Sequence, residues 1–357
     1  MIQVTKPFIP DREKLDKYLD GIFERTWLTN NGPLVQELTQ RLEDYLDVEN
    51  LLLVANGTLA LQVAYKALGV ETEAVTTPFT FAATPGSMKW QGITPRFADI
   101  DPNTLNLYPA QAEKTITENT QALVPVHVYG NACDDDSLQE IASRHNLRLI
   151  YDASHAFGVQ YKDESLLNCG DASTLSFHAT KLFHTVEGGA IVFKNKDELE
   201  RARSMINFGQ SPDTPNDIAS VGINAKMSEL HAAMGLAMLD SVDEIISQRK
   251  ALVQEYHRCL EAHVEFPQRW GSENGAYMPV LLASKEQTDA VDTHLQQAGI
   301  RGRRYFSPAL HESKAYDNGD ECPVASDIAG RILCLPIYPG LTTSHVRWVS
   351  DHVCQAL

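Results

Sequence analysis

The stretch Ser173-Thr174-Leu175-Ser176-Phe177-His178-Ala179-Thr180-Lys181, closed by Glu187-Gly188-Gly189-Ala190-Ile191-Val192-Phe193, sets a single lysine between two segments of β-strand chemistry. Upstream, Leu147-Arg148-Leu149-Ile150-Tyr151 is another apolar run, with Asp152 at its end.

Outward from that block, strand-like and helix-like segments take turns. Val48 to Val54 reads as a short buried strand, and Leu59 to Leu68 carries apolar residues at helical spacing before stopping at Gly69. Ala74 to Pro78 and Pro95 to Ile100 have strand chemistry, with a helix expected between them from Ala82 to Gly92. Gln121 to Val128, a polar helix from Ser137 to His145, and Leu147 to Tyr151 continue the alternation. This predicts an α/β layer on a largely parallel sheet. Gly209 to Gly222, rich in Asp, Asn, Pro and Ser, reads as a loop, and Met227 to His263 as one long helical stretch bridging two domains. Beyond Phe266-Pro267 the pattern predicts a strand at Tyr277 to Leu282, a helix from Lys285 to Ala298, a second strand at Arg331 to Leu335 and a closing helix from Thr343 to Cys354. The boundary is placed near residue 245, giving a large domain over 1–245 and a smaller one over 246–357.

Two domains agree with a length of 357 residues, since single cores stop growing at roughly 250–300 residues. The formal net charge is −17, which argues against a nucleic-acid or anionic-membrane surface and requires any anionic ligand to be held by a local site. The N-terminal residues lack the apolar core of a signal peptide, and the most hydrophobic run, Leu51 to Ala55, is too short to span a bilayer, so a cytoplasmic protein is expected. Six scattered cysteines suggest neither a zinc cage nor a disulfide framework. Histidines 127, 155, 178 and 184 lack metal-site spacing, and no metal is expected.

A lysine that forms a Schiff base must be partly desolvated, so that its amine is available as a neutral nucleophile. An aspartate facing a pyridine nitrogen keeps that ring protonated and able to accept electrons. Lys181 and Asp152 are placed for these two roles, which are those of pyridoxal phosphate chemistry. Asn56-Gly57-Thr58 lies between a buried strand and a helix, where free backbone N–H groups and the helix dipole favour a phosphate, and Ser176 can add a hydroxyl. Phe81 follows a strand and offers a stacking surface, and His155 offers a second ring or a contact to the ring substituents. Each residue alone has an ordinary reading: Lys181 as a surface lysine, Asp152 as a helix cap, Asn56-Gly57-Thr58 as a plain turn, Phe79 and Phe81 as core, His155 as a hydrogen-bonded buried histidine. Arg301, Arg303 and Arg304 form a dense basic cluster just before Tyr305 and His311. Guanidinium forks suit a diphosphate or a donor carboxylate, a solvated strand or helix end being the alternative. Arg303, Tyr305 and His311 are the expected substrate-binding residues.

Together these motifs resemble the fold-type I pyridoxal phosphate enzymes, and within them the sugar aminotransferases of the DegT/DnrJ/EryC1/StrS family. The resemblance runs from Trp27-Leu28-Thr29-Asn30-Asn31-Gly32-Pro33 through Pro125-Val126-His127-Val128-Tyr129-Gly130 to Tyr305-Phe306-Ser307-Pro308-Ala309-Leu310-His311, and is strongest in Ser176 to Lys181 with Glu187-Gly188-Gly189. It implies a large domain with a mostly parallel mixed sheet and a smaller C-terminal α+β domain. It implies further that Lys181 is the Schiff-base lysine and proton carrier, that Asp152 pairs with the pyridine nitrogen, that Phe81 stacks, and that His155 lies near the ring. Phosphate would meet Gly57, Thr58, Leu59 and Ser176, and Asn224 from a neighbouring subunit, which makes a homodimer with a shared site. Asn56, Ala179 and Lys226 stand where serine, proline and arginine are common. A branch that dehydrates replaces the lysine by histidine; here Lys181 is retained. The implied reaction moves the amino group of L-glutamate to a nucleotide-linked 6-deoxy sugar, with C4 as the preferred keto position, as in dTDP-4-keto-6-deoxyglucose, and C3 as the nearest rival. A non-catalytic regulator on the same fold is the alternative of another class.

Overall fold

The computed structural model describes residues 1–210, 217–218 and 220–357. Half of the 209–222 stretch read as a loop, 211–216 and 219, lies outside the described residues. In chain order the elements are α1 (Arg12–Arg25), α2 (Pro33–Leu46), β1 (Leu51–Val54), α3 (Gly57–Ala67), β2 (Glu73–Thr76), α4 (Ala83–Trp90), β3 (Thr94–Phe97), α5 (Pro109–Thr115), β4 (Thr120–Val124), α6 (Asp135–His145), β5 (Arg148–Asp152), a short hairpin β6 (Gln160–Tyr161) and β7 (Glu164–Ser165), β8 (Ala172–Ser176), β9 (Gly189–Phe193) and α7 (Lys196–Met205). Then follow α8 (Glu229–Leu239), α9 (Val242–Leu260), β10 (Pro279–Leu281), α10 (Lys285–Gln297), α11 (Pro323–Arg331), β11 (Ile332–Cys334) and α12 (Thr343–Ala356).

Seven strands form one sheet in the order β1-β9-β8-β5-β4-β2-β3. β9 runs antiparallel to both β1 and β8, and the pairs β2–β3, β2–β4, β4–β5 and β5–β8 are parallel. Successive strand residues point to opposite faces, and both faces here are covered. Leu51 and Leu53 of β1 and Ala190 and Val192 of β9 pack with α2 and α8. Leu52 and Val54, with Ile191 and Phe193, pack with α3 and α7. Burial on two sides explains why these strands read as unbroken apolar runs.

The stretch 227–263, expected as one helix, is two. It breaks between α8 and α9 at Asp240 and Ser241, residues whose side chains favour caps and turns. Asp240 takes a hydrogen bond from Arg41 Nη2 at 2.7 Å, which ties the corner to α2. Residue 245 lies inside α9. Val242 and Ile245 pack in the core under α1, α2 and α8, whereas Leu252, Val253, Tyr256 and Leu260 pack with α10, α12 and β10. The first residues of the chain join this second core: Arg301 N–H donates to the Ile2 carbonyl and Ile337 N–H to that of Val4. β10 and β11 pair antiparallel beside them. All six cysteines are free thiols, Cys133, Cys322 and Cys334 buried and the others half-buried. Among the described residues no helix is long and apolar enough to cross a membrane.

Candidate active site

Residues 177–188 form an excursion between the paired strands β8 and β9. Phe177 N–H donates to Gly188 O, Ala179 N–H to Val186 O and Thr185 N–H to Phe177 O, so the loop is stitched across its neck. Phe177, Leu182 and Phe183 are buried in the core, which anchors the loop. Lys181 N–H donates to His178 O in a tight turn, and its side chain lines the cavity at the C-terminal end of the parallel strands. Burial lowers the Lys181 ammonium pKa to about 8, the charge of Asp152 acting in the opposite sense.

The glycines of the motif are required by space. A Cβ at Gly188 would lie 2.0 Å from Thr185 Oγ1, and one at Gly189 would lie 2.7 Å from the carbonyl carbon of Asn56. β9 therefore presses against the turn that starts α3. Asn56 caps that helix through its side chain, which accepts from Leu59 N–H at 2.9 Å. Gly57 and Thr58 N–H have no intrahelical partner, as at any helix start. Gly57 lies so close to β8 that a Cβ would sit 2.8 Å from the Ser176 Cβ. The two sides of the cradle, helix N-terminus and serine hydroxyl, suit a phosphate.

Asp152, at the end of β5, is 5% exposed. Its Oδ2 accepts from Thr84 Oγ1 at 2.8 Å and its Oδ1 from Ser154 N–H at 3.1 Å. Thr84 is bonded in turn to Thr80 Oγ1 at 2.8 Å. These threonines hold the carboxylate, and sequence reasoning missed them. Their only local signal is the i, i+4 spacing, which occurs in any helix.

Rings line the rest of the cavity. Phe81 is 58% exposed, whereas Phe79 is fully buried, edge-on to Tyr129 and Phe306. His155 lies 5.9 Å from Phe306 with ring planes 5° apart, and its Nδ1 accepts from Tyr129 N–H. Burial first, and the Lys181 charge second, hold His155 well below the usual histidine pKa, so it is neutral with its proton on Nε2. Tyr277, Tyr305 and Phe306 close the cavity from the C-terminal part, and burial pushes the Tyr305 phenol up to about 12. His178, Thr180 and Glu187 lie at the same cavity, with His178 Nδ1 2.8 Å from Thr180 Oγ1.

The arginine cluster divides. Arg304 is paired with Asp289, Arg301 bonds Gln296, and Arg303 lies over the Tyr305 ring, 4.7 Å from its centroid, at the cavity. His311 is placed elsewhere: its Nε2 is 3.2 Å from Ser326 Oγ, beside α11, and it is not a lining residue of the cavity. Asn224 is exposed and bridges to Asn207 through its backbone, also off this chain's own cavity. His127 is buried and stacked on Tyr151, and His184 Nε2 bonds the Phe8 carbonyl. Among the described residues no three His, Cys, Asp or Glu side chains converge as a metal site.

The cavity, about 830 Å³, thus joins Gly57, Thr58, Leu59, Phe81, Asp152, His155, Ser176 and Lys181 with Arg303 and Tyr305. A desolvated amine, a buried carboxylate, a phosphate cradle and flanking rings on a mixed sheet of this order define a pyridoxal phosphate-dependent transferase of fold type I. The chain matches the DegT/DnrJ/EryC1/StrS aminotransferase family over residues 10–354. It is 42% identical over 357 residues to a dTDP-4-amino-4,6-dideoxy-D-glucose transaminase of Shigella dysenteriae, covering 98% of this chain and 97% of the relative. A transaminase of the same name from Escherichia coli is 34% identical, over 95% and 94% of the two chains. The crystal structure of DesI in the presence of its TDP-sugar product superposes with a TM-score of 0.94 at 36% identity, over 99% of this chain and 93% of that one. This chain belongs to the DegT/DnrJ/EryC1/StrS aminotransferase family. Its cofactor is pyridoxal 5′-phosphate, and the Gly57–Ser176 cradle, the buried Asp152 and the Lys181 amine fit that group.

Proposed function

We propose that this protein moves the amino group of L-glutamate to dTDP-4-keto-6-deoxy-D-glucose, forming dTDP-4-amino-4,6-dideoxy-D-glucose, as a cytoplasmic homodimer. The observation that carries the reading is the convergence of Lys181, Asp152, Ser176 and the α3 N-terminus on one cavity. The substrate choice is supported by the names of the two transaminases above. Bound pyridoxal phosphate supplies an aldehyde and an electron-accepting ring that store the amino group between donor and acceptor. Lys181 would hold the cofactor through Nζ and, when released, would carry the proton that each half of the reaction must move. With a pKa of about 8, its amine is neutral in roughly a tenth of molecules at pH 7, against far fewer for a solvated lysine. Asp152, fixed by Thr84 and Ser154, accepts the hydrogen bond of a protonated pyridine nitrogen. The Gly57 and Thr58 N–H groups and the Ser176 hydroxyl would hold the phosphate, the Leu59 N–H being taken by the Asn56 cap, and Phe81 and neutral His155 would face the ring. Arg303, the cluster member at the cavity, binds an anionic group of donor or acceptor.

The homodimer is supported by an apolar face beside Asn224. Trp27, Leu28, Ile223 and Leu230 are each more than 40% exposed, and Glu229 N–H donates to Leu28 O, which sets two of them side by side. A second copy covering this face would bring Asn224 to its neighbour's phosphate. The test is incubation with glutamate and a panel of dTDP- and UDP-linked 3-keto and 4-keto sugars, with products identified by mass spectrometry and NMR. Amination of the C4-keto dTDP sugar is expected. Amination of a C3-keto sugar alone would move the site of reaction, and no amination with a yellow, glutamate-bleached protein would refute the substrate class.

A further inference from the structure

The cavity does not end at the cofactor cradle. It continues as a groove between α3 and α4, lined by Leu61 and Gln62 on one side and Gly86, Ser87 and Trp90 on the other. Trp90 is 84% exposed, an uncommon state for the largest apolar side chain. Its backbone is not loose. Lys89 Nζ donates to the Ala315 carbonyl at 2.7 Å and Gln91 Nε2 to the Gln62 carbonyl at 3.0 Å, so both chain neighbours are tied while the indole is left free. Gln62 is 8% exposed, and among the described residues its side-chain amide makes no hydrogen bond. With no protein partner and not sealed from solvent, that amide is open to a ligand in the groove.

We propose that Trp90 and Gln62 form the nucleobase subsite for the nucleotide-linked substrate, a pyrimidine ring stacking on the indole with its imide edge turned to the Gln62 amide. This rests on the reading of the protein as a sugar nucleotide aminotransferase. A helical rise of about 1.5 Å per residue puts Trp90 about 10 Å along α4 from Ala83, which follows the ring-facing Phe81. That span leaves room for a sugar and a diphosphate between the Lys181 amine and the indole. A pyrimidine imide presents an N–H flanked by carbonyls, and a carboxamide presents the complementary acceptor and donor. Trp90 therefore supplies a base-tolerant platform and Gln62 the edge contact.

The test is isothermal titration of dTDP, UDP and inorganic pyrophosphate into the cofactor-loaded enzyme. Trp90→Ala should weaken dTDP and UDP about tenfold, a change of about 1.4 kcal/mol, and leave pyrophosphate, which has no base, unaltered. Trp90→Phe, which keeps a ring, should recover most of the loss, and Gln62→Leu should weaken both nucleotides about fivefold. dTDP should also quench tryptophan emission in the native enzyme, and the quench should vanish in Trp90→Phe. The proposal is overturned if Trp90→Ala binds dTDP as the native enzyme does, if pyrophosphate is weakened in parallel, if the native enzyme binds pyrophosphate as tightly as dTDP and UDP, or if the quench survives in Trp90→Phe. The titrations contain no keto sugar and need no turnover, so a failure to aminate any keto sugar would fall on the proposed function and leave this result readable by itself.

Discussion

Gly189→Ala would press one methyl group against the turn proposed to hold the phosphate. Gly189 pairs with Val54 on β1 and Ser176 on β8, so β9 cannot slide away without breaking two ladders. The new Cβ would lie 2.7 Å from the Asn56 carbonyl carbon, 2.8 Å from its oxygen and 2.8 Å from Gly57 N. These are backbone atoms with no rotamer to yield. Comfortable carbon contacts begin near 3.5 Å, so the start of α3 must retreat by about 0.8 Å. Overpacking of this kind costs about 1–3 kcal/mol. If the phosphate contacts bear that displacement, cofactor affinity falls by about tenfold for each 1.4 kcal/mol. The assay is absorbance titration of the cofactor-free protein with pyridoxal phosphate, beside urea unfolding of the same protein. Gly330→Ala is the control: within α11 its Cβ would lie 3.5 Å from the Lys285 Cβ, an ordinary contact, and removing a helical glycine should stabilise by about 0.5–1 kcal/mol. A Gly189→Ala protein with native cofactor affinity and native unfolding would refute the claim that β9 and the phosphate turn are in rigid contact.

Cofactor loading should follow the titration of Lys181, because only the neutral amine attacks an aldehyde. The amine gains its neutral form as pH rises, so the loading rate of the cofactor-free protein should climb to about pH 8 and then level, and a rate still rising toward the usual lysine value of 10.5 would contradict the burial argument. Thr84→Val keeps shape but removes the hydroxyl bonded to Asp152 and strands that of Thr80; unfolding of the cofactor-free protein should show a loss of about 1.5–3 kcal/mol, and no loss would deny the threonine relay its role. Lys181→Ala and Asn224→Ala should each be inactive alone. Refolded together as a one-to-one mixture they should regain about a quarter of native activity, since half the dimers are hybrids and each hybrid has one complete site of two; a mixture as inactive as its parts would remove Asn224 from a shared site.

Part of the cavity lining was legible because it is local. Lys181 lies between two strands whose apolar runs are visible in the sequence, and Asp152 and Gly57 sit at strand ends, where α/β sheets meet ligands. Thr84 could not be read that way, for it meets Asp152 across 68 positions. Tyr277 and Arg303 reach the cavity from beyond the α9 bridge, and nothing near them in the chain records what they face. His311, near Arg303 in sequence, turns to Ser326 instead, because proximity along an irregular segment does not set direction. The single helix expected over 227–263 breaks where Asp240 is drawn to Arg41, 199 positions away.

By itself, the order of residues determined the alternation of strand and helix, the lysine between β8 and β9, the carboxylate after β5 and the glycines where β9 meets α3. These depend on period, propensity and the size of one side chain, all of which are local. Tertiary structure alone decided that Phe81 faces the cavity while Phe79 is core, that only Arg303 of three arginines reaches it, and that Trp90 stands exposed at the far end of a groove. Those outcomes depend on which distant surfaces close over each side chain, and burial by distant neighbours is written in no single stretch of the chain.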